Sequence, residues 1–394
     1  MTKKFLLCLV VLFALSGAIA PRLLAQERTM EFIESSDSAI PLAEVPETFP
    51  KDEYYKGRVE AIGKEEITEF QGFKSVNREI TVKLLEGPEK DKSVTIKYTQ
   101  LEGKENIASP KIGDTVVITK SELGTEGPTY VISDRYRLRP VMFLLATFFI
   151  LIVIFGKLKG FTATIGLAVS VLIIVQFIVP KIASGSNPFM ITMAGILLIA
   201  FSSLYLAHGF SKRTTIALIS TLITLGISVA LAVFAVNVTQ LNGLGSEEAM
   251  FLQAGVFGAV NLKGLLLGGI LIGTLGVLDD ITTSQAAAID EISKANPSLK
   301  FAELYRSGIN VGHEHIASLV NTLFLAYAGA SLPLFLLLSQ AQSGQPLWTI
   351  LNSEQFVEEI VRTIVGSIAL ILGVPVSTIL SAWFFSKRSK KELQ

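Results

Sequence analysis

The sequence predicts a polytopic α-helical membrane protein of about seven transmembrane helices. An exported small all-β domain, an OB-like or SH3-like barrel, precedes them. Three observations predict this. Half of the 394 residues (50%) are hydrophobic and only 17% are charged, at a mean hydropathy of +0.53, whereas a soluble domain carries about 25% charged residues. Charge is also unevenly spread. Positions 27–139 hold 39 of the 68 Asp, Glu, Lys and Arg side chains, so a polar module is joined to a very apolar one. After position 140, apolar stretches recur at about the 20-residue length that crosses a bilayer. The formal net charge of +0 is the sum of these unlike halves and describes neither. The composition argues against an ordinary soluble enzyme, and the single cysteine, Cys8, leaves no disulfide framework or multi-cysteine metal site.

Taken in chain order, residues 1–25 read as a signal peptide or an N-terminal anchor. Lys3 and Lys4 precede an apolar run over 5–20 that ends in Ala18 and Ala20, the layout of a secretory leader. Pro21 disfavours cleavage beside it, and the run is short for a span. Cleaved or retained, the segment exports the polar module behind it. Residues 26–50 are acidic and contain Ser35, Ser36, Pro41, Pro46 and Pro50, which predicts a flexible acidic tether.

Residues 51–139 change to the period of strands. Strands are expected over 56–62, 78–85, 92–98, 113–119 and 129–136, with turns at Gly87-Pro88 and Gly113-Asp114. Five short strands in about 80 residues suggest a barrel, because closure removes exposed edges. Its lysines are interleaved with Glu65, Glu66, Glu86, Glu89 and Asp91, so it lacks the basic, aromatic-lined face that nucleic acid requires. The expected partner of this exported domain is a protein or the membrane domain itself.

Residues 140–386 form the expected helical transmembrane domain, with spans near 141–155, 161–180, 188–205, 215–236, 262–286, 316–338 and 361–384. Export of the barrel fixes the first span as running outside to inside. The inner loops then carry Lys157, Lys159, Lys212, Arg213, Lys294, Lys300 and Arg306, and the basic cytoplasmic tail, 387–394, adds Lys387, Arg388, Lys390 and Lys391. Outer loops between spans hold Lys181 and Lys263. The bias follows the positive-inside rule, although Arg135, Arg137 and Arg139 oppose it. The expected location is a bacterial plasma membrane, with the C-terminus cytoplasmic. Residues 247–261, opened by the helix-capping Ser246, read as an interfacial or re-entrant helix.

The fifth and sixth spans carry the unusual residues. Gly264 with Gly268, and Gly269 with Gly273, lie four apart, a spacing that lets helices approach closely. Asp279 and Asp280 follow. In a continuous helix Asp279, Thr283 and Asp290 share one face, and an aspartate in lipid is costly enough to demand protein, water or an ion around it. In the sixth region, Glu314, His315, Ser318, Asn321 and Thr322 crowd neighbouring faces. With His208, these groups are expected at one end of the bundle, as a site for a small cation or proton or as a polar network that orients helices. No phosphate loop, nucleophile elbow or His-Glu-x-x-His spacing occurs, so neither an enzyme nor a cofactor is expected.

The stretches 271–285 (Leu-Ile-Gly-Thr-Leu-Gly-Val-Leu-Asp-Asp-Ile-Thr-Thr-Ser-Gln) and 312–329, opening Gly312-His313-Glu314-His315-Ile316-Ala317-Ser318, resemble the YibE/F family of bacterial multi-spanning membrane proteins. The resemblance covers the membrane module and, more loosely, the exported domain. It implies a bacterial plasma-membrane protein with an exported N-terminal part, and it supplies no biochemical activity. Family members often have Arg-Asp-His where this chain has His313-Glu314-His315. The carboxylate and second histidine carry over onto Glu314 and His315, but the arginine does not. The function expected is a permease for an ion or small solute. The alternative is a non-transporting scaffold or assembly factor that binds partners through its exported domain.

Overall fold

The computed structural model describes residues 52–70, 73–101, 109–121, 128–255, 260–339 and 346–392. The expected leader or anchor (1–25), Cys8 and the acidic tether (26–50) lie outside the described residues. The chain divides near Phe149 into an N-terminal and a C-terminal unit.

The N-terminal unit is an antiparallel sheet of β1 (Glu53–Ile62), β2 (Glu66–Phe70), β3 (Phe73–Leu84), β4 (Ser93–Leu101), β5 (Thr115–Ser121) and β6 (Thr129–Arg135). The strand order is β2-β3-β1-β5-β6, and β4 takes the free edge of β3. Alternation explains the inside face: in β3, Ile80, Val82 and Leu84 are fully buried while Glu79 is exposed, as a period of two requires. Val59, Ile96, Val116 and Ile118 complete this core. Gly57 also faces inward, and a side chain there would strike Ile118 and Val82. The two expected turns hold glycines at φ +90 (Gly87) and +91 (Gly113), a region open to glycine at little cost. The five expected strands are present, and β2 is an unexpected sixth. It continues β1 along the same edge of β3 (Ile62 faces Ile80, Glu66 faces Asn77), so the two act as one bent strand. No ladder joins β4 to β6 among the described residues, and the hydrogen bonding of the sheet stays open there.

The C-terminal unit is helical. Its elements are α1 (Leu138–Ile173, whose first turns count with the sheet), α2 (Val179–Ala183), α3 (Pro188–His208), α4 (Lys212–Val238), α5 (Glu247–Ala254), α6 (Leu262–Ala295), α7 (Phe301–Ala330), α8 (Leu332–Leu337), α9 (Leu347–Leu351) and α10 (Glu354–Glu392). Among the described residues, five helical stretches are long and apolar enough to cross a membrane: Leu138–Ala183, Pro188–His208, Lys212–Val238, Leu262–Ala295 and Glu354–Lys387. The number of such stretches is therefore not the seven expected.

Both differences have a physical reason. The expected spans 141–155 and 161–180 lie in one helical run of 46 residues, broken at Lys157 (φ 50, ψ −135). Just beyond the break, the position of a Cβ on Gly160 is taken by the carbonyl of Ile152. A straight helix separates such residues by about 12 Å, so the chain turns sharply where the sequence places the Lys157–Lys159 loop. Pro180 then crowds the carbonyl one turn back, and the ladder widens to a π-turn over Ile174–Ile178. The expected span 316–338 is split: α7 ends at Ser331, and α8 restarts with Pro333 in its first turn. The first half of α7 also carries Glu303, Arg306 and Glu314, which leaves only the stretch 316–330 apolar.

The centre of the bundle is α4, α6 and α10, with α3 against α6 and α7 against α10 and α6. Leu225, Ile270, Leu271, Leu278, Ile281 and Val374 form its dry core. A polar seam runs through it. Thr221 and Thr282 share a 2.7 Å hydrogen bond, Ser377 donates to the Thr282 carbonyl at 3.2 Å, and Gln285 Nε2 donates to the Gly308 carbonyl at 2.6 Å and to Thr378 Oγ1 at 2.8 Å. Each such interhelical bond contributes on average about 0.6 kcal/mol in a membrane setting, and together they fix helix register.

Candidate functional site

The site is built on α6. Asn261 caps the helix by accepting from the Gly264 amide at 3.0 Å, and the ladder then continues through Asp279 and Asp280 to Ala295. The hydroxyl of Thr283 folds back onto the Asp279 carbonyl at 2.7 Å. Residues 276, 279, 280, 283, 284 and 287 consequently lie on one flank of α6, away from the polar seam at Thr282 and Gln285.

That flank walls a cleft of about 480 Å³. Across it stand Ser203, Leu204 and His208 of α3, Arg213, Thr214 and Ala217 of α4, and Lys159 of α1. Asp280 is exposed to the cleft and Asp279 is half-buried. Asp279 Oδ1 is fully buried and accepts no hydrogen bond. Such an atom is costly unless something fills its vacant lone pairs. The cleft is thus lined by two carboxylates, the cations Lys159 and Arg213, and one imidazole. Chemically it suits a proton or a small cation at the acids. Among the described residues, no three His, Cys, Asp or Glu side chains come together as a metal-holding group.

The structure brings together only part of the expected set. Asp279, Asp280 and His208 share the cleft. Asp290 does not enter it: it is buried and pairs with Lys294 at 2.7 Å. Glu314, Ser318, Asn321 and Thr322 are exposed on α7, and His315 is half-buried with an unpartnered Nδ1; none of these five lines the cleft. Among the glycines of α6, Gly264 and Gly268 are buried against α3, where a Cβ on Gly268 would lie 2.7 Å from Thr192 Oγ1. Gly273 would meet the Tyr327 hydroxyl at 2.8 Å, and Gly269 faces open space.

Two features escape sequence reasoning. One is a second pair of close-packing glycines, Gly308 and Gly312, buried against α6 and α10; their four-residue spacing is visible but hidden beside the polar motif. The other is a backbone nest. Glu354 Oε1 accepts from the amides of Asn242, Gly243 and Leu244 at 2.6, 2.8 and 3.2 Å, and Glu358 Oε1 accepts from Gly245 at 3.0 Å. Consecutive amides aimed at carboxylates form an anion-binding concavity, and here α10 fills it and pins the α4–α5 loop. The only signal is the pairing of Asn242-Gly243-Leu244-Gly245 with two glutamates four apart, over 100 residues away.

A family model described as YibE/F-like protein matches residues 144–387, more than half of the chain. No curated protein and no solved structure matches it.

Proposed function

The chain belongs to the YibE/F-like family, and from that premise we propose that it is a permease for a small cation or proton, seated in a bacterial plasma membrane. Its sheet domain lies outside, its C-terminus lies inside, and the α3–α4–α6 cleft is its cytoplasmic binding site. Family membership brings no activity with it, so the reading rests on the cleft. The observation that carries it is the Asp279 carboxylate, half-buried among apolar helices, with one oxygen unpartnered on the wall of a cleft. The large majority of buried side-chain polar atoms in a structural role have a partner. In this reading Asp279 binds the cation or proton, Ser203 and Thr283 are neutral neighbours, and Asp280 with His208 relays between the site and water. Lys159 and Arg213 lower the affinity enough for release, since an ion held by uncompensated acids would not leave.

The test is flux in proteoliposomes holding the purified chain, with a panel of monovalent and divalent cations and a pH gradient. Flux in wild type is expected to fall about tenfold or more in Asp279→Asn, a loss of about 1.4 kcal/mol of binding or barrier energy. Equal flux in wild type and Asp279→Asn would sink the site. No flux of any cation would favour the scaffold reading, in which the exported sheet docks a protein partner.

A further inference from the structure

The α7 helix carries a polar stripe on the face turned away from the bundle. One face packs inward: Gly308 and Gly312 are buried, and Ile309, Ile316 and Leu319 pack on the core. On the opposite face Asn310, Glu314, Ala317 and Asn321 are exposed; further along, Phe324 and Ala328 line a cleft shared with α8 and α10. The spacings of the exposed residues, four and three, alternate, which is the seam pattern of a helix that packs on another helix. Asn321 and Glu314 take the equivalent positions of successive heptads.

The depth of this stripe makes its exposure anomalous. α7 runs antiparallel to α6, with Gly308 beside Ile289, Gly312 beside Gln285 and Tyr327 beside Gly273. Residues 318–322 therefore stand level with about 275–279 of α6, inside the stretch apolar enough to cross a membrane. Thr322 is satisfied within its own helix, donating to the Ser318 carbonyl at 3.0 Å. Among the described residues nothing bonds the Asn321 side chain. A bare carboxamide facing hydrocarbon is costly.

We propose that this stripe is the seam of a homodimer, packed α7 on α7 about a two-fold axis along the membrane normal. The occupant is a second copy because the stripe complements itself. Two copies in one membrane share one orientation, so their α7 helices are parallel and a residue at the centre of the seam meets its own equivalent. A carboxamide both donates and accepts, so two Asn321 side chains satisfy each other, and a single seam Asn selects parallel dimers in the same way. Ala317 supplies the small side chain that close approach needs. At the end of the apolar stretch His313 and Glu314 flank the seam on opposite sides, so the imidazole of each copy meets the carboxylate of the other. The inference does not depend on transport: it holds for a permease or a scaffold.

The test is disulfide trapping of the full chain in native membranes, in a Cys8→Ser background that removes the only natural thiol. Single cysteines are placed at Ala317→Cys and Asn321→Cys on the seam, and at Ile223→Cys, an exposed apolar position of α4, as control. Mild oxidation is expected to give a band of twice the monomer mass at both seam positions, roughly tenfold stronger than at the control. Adding Asn321→Leu to the Ala317→Cys chain is expected to cut the yield roughly fivefold. No dimer at either seam position, or equal yield at the control, would overturn the proposal. So would capture of residue 321 by a second cysteine at Ala146 of the same chain, at monomer mass.

Discussion

Glu89 accepts from Lys92 Nζ at 2.6 Å, from Lys120 Nζ at 3.1 Å and from the Tyr130 hydroxyl at 2.9 Å. The bonds to Lys92 and Lys120, followed by that to Tyr130, hold its carboxyl at about 2, below the ordinary 4.5. The sign of the consequence comes from linkage. A carboxyl whose folded pKa is depressed stabilises the fold above its unfolded pKa, and that contribution fades as pH falls through the folded value. Calorimetry of the intact chain, stepped from about pH 6 down to about pH 2.5, is expected to show a sheet-domain transition that weakens mostly below pH 4.5 in wild type. Glu89→Gln should melt lower at neutral pH and lose less on acidification; parallel curves for the two chains would refute the hub. In the sequence Glu89 is only one more acid among lysines. It is special because β5 and β6 bring Lys120 and Tyr130 to the turn where Lys92 already stands three residues away, and no local spacing encodes those two.

At the scale of helices, packing separates glycines that spacing treats alike. Gly308 and Gly312 are in direct contact with the bundle: a Cβ on Gly308 would lie 2.9 Å from Ile289 and Thr378, and one on Gly312 would strike Val374. Gly269 has nothing within 4 Å. Overpacking a close seam costs about 1–3 kcal/mol, whereas alanine in place of an unobstructed helical glycine gains up to about 1 kcal/mol. Gly312→Ala is therefore expected to lower the thermal midpoint of the purified chain by several degrees, and Gly269→Ala to leave it unchanged or raise it; the opposite order would contradict the α6–α7–α10 packing. The same distinction explains what is legible in the sequence. Long apolar runs with capping residues place α3, α4 and the start of α6 to within a few residues, while α6 runs on past the expected 286 to Ala295. The hairpin at Lys157 is legible from its charges, because a lysine pair cannot stay mid-span. The end of α7 is not legible from composition, because apolar residues continue past Ser331 while Pro333 breaks the ladder. The expected convergence of Glu314 and His315 with Asp279 does not form, because the 3.6-residue period gives each helix its faces but not which neighbour each face meets.

For the whole molecule, the strongest sequence signal is the partition of charge, and its one contradiction has a structural resolution. Arg135, Arg137 and Arg139 precede the first apolar run on the side expected to be outside. Arg135 is held 3.6 Å from Asp114 and Arg137 is held 2.6 Å from Asp134, so two of the three belong to the folded sheet domain. Long translocated domains cross largely regardless of their charge, and short loops set orientation. The proposed orientation rests on the short loops: Lys212 and Arg213 come directly after α3, and Lys294, Lys300 and Arg306 surround the α6–α7 turn. The orientation can be read directly in a Cys8→Ser chain, because no other thiol is present. A cysteine at Lys97, exposed on β4, is expected to react with a membrane-impermeant maleimide in cells whose outer barrier alone is opened. A cysteine at Ser298, exposed between α6 and α7, should react only after the plasma membrane is permeabilised. The reverse pattern would invert the topology and turn the Asp279 cleft outward. Labelling of both positions before permeabilisation would mean that the α6–α7 turn does not lie on the far side from the sheet domain, and the assignment of inner loops by their lysines and arginines would fall with it.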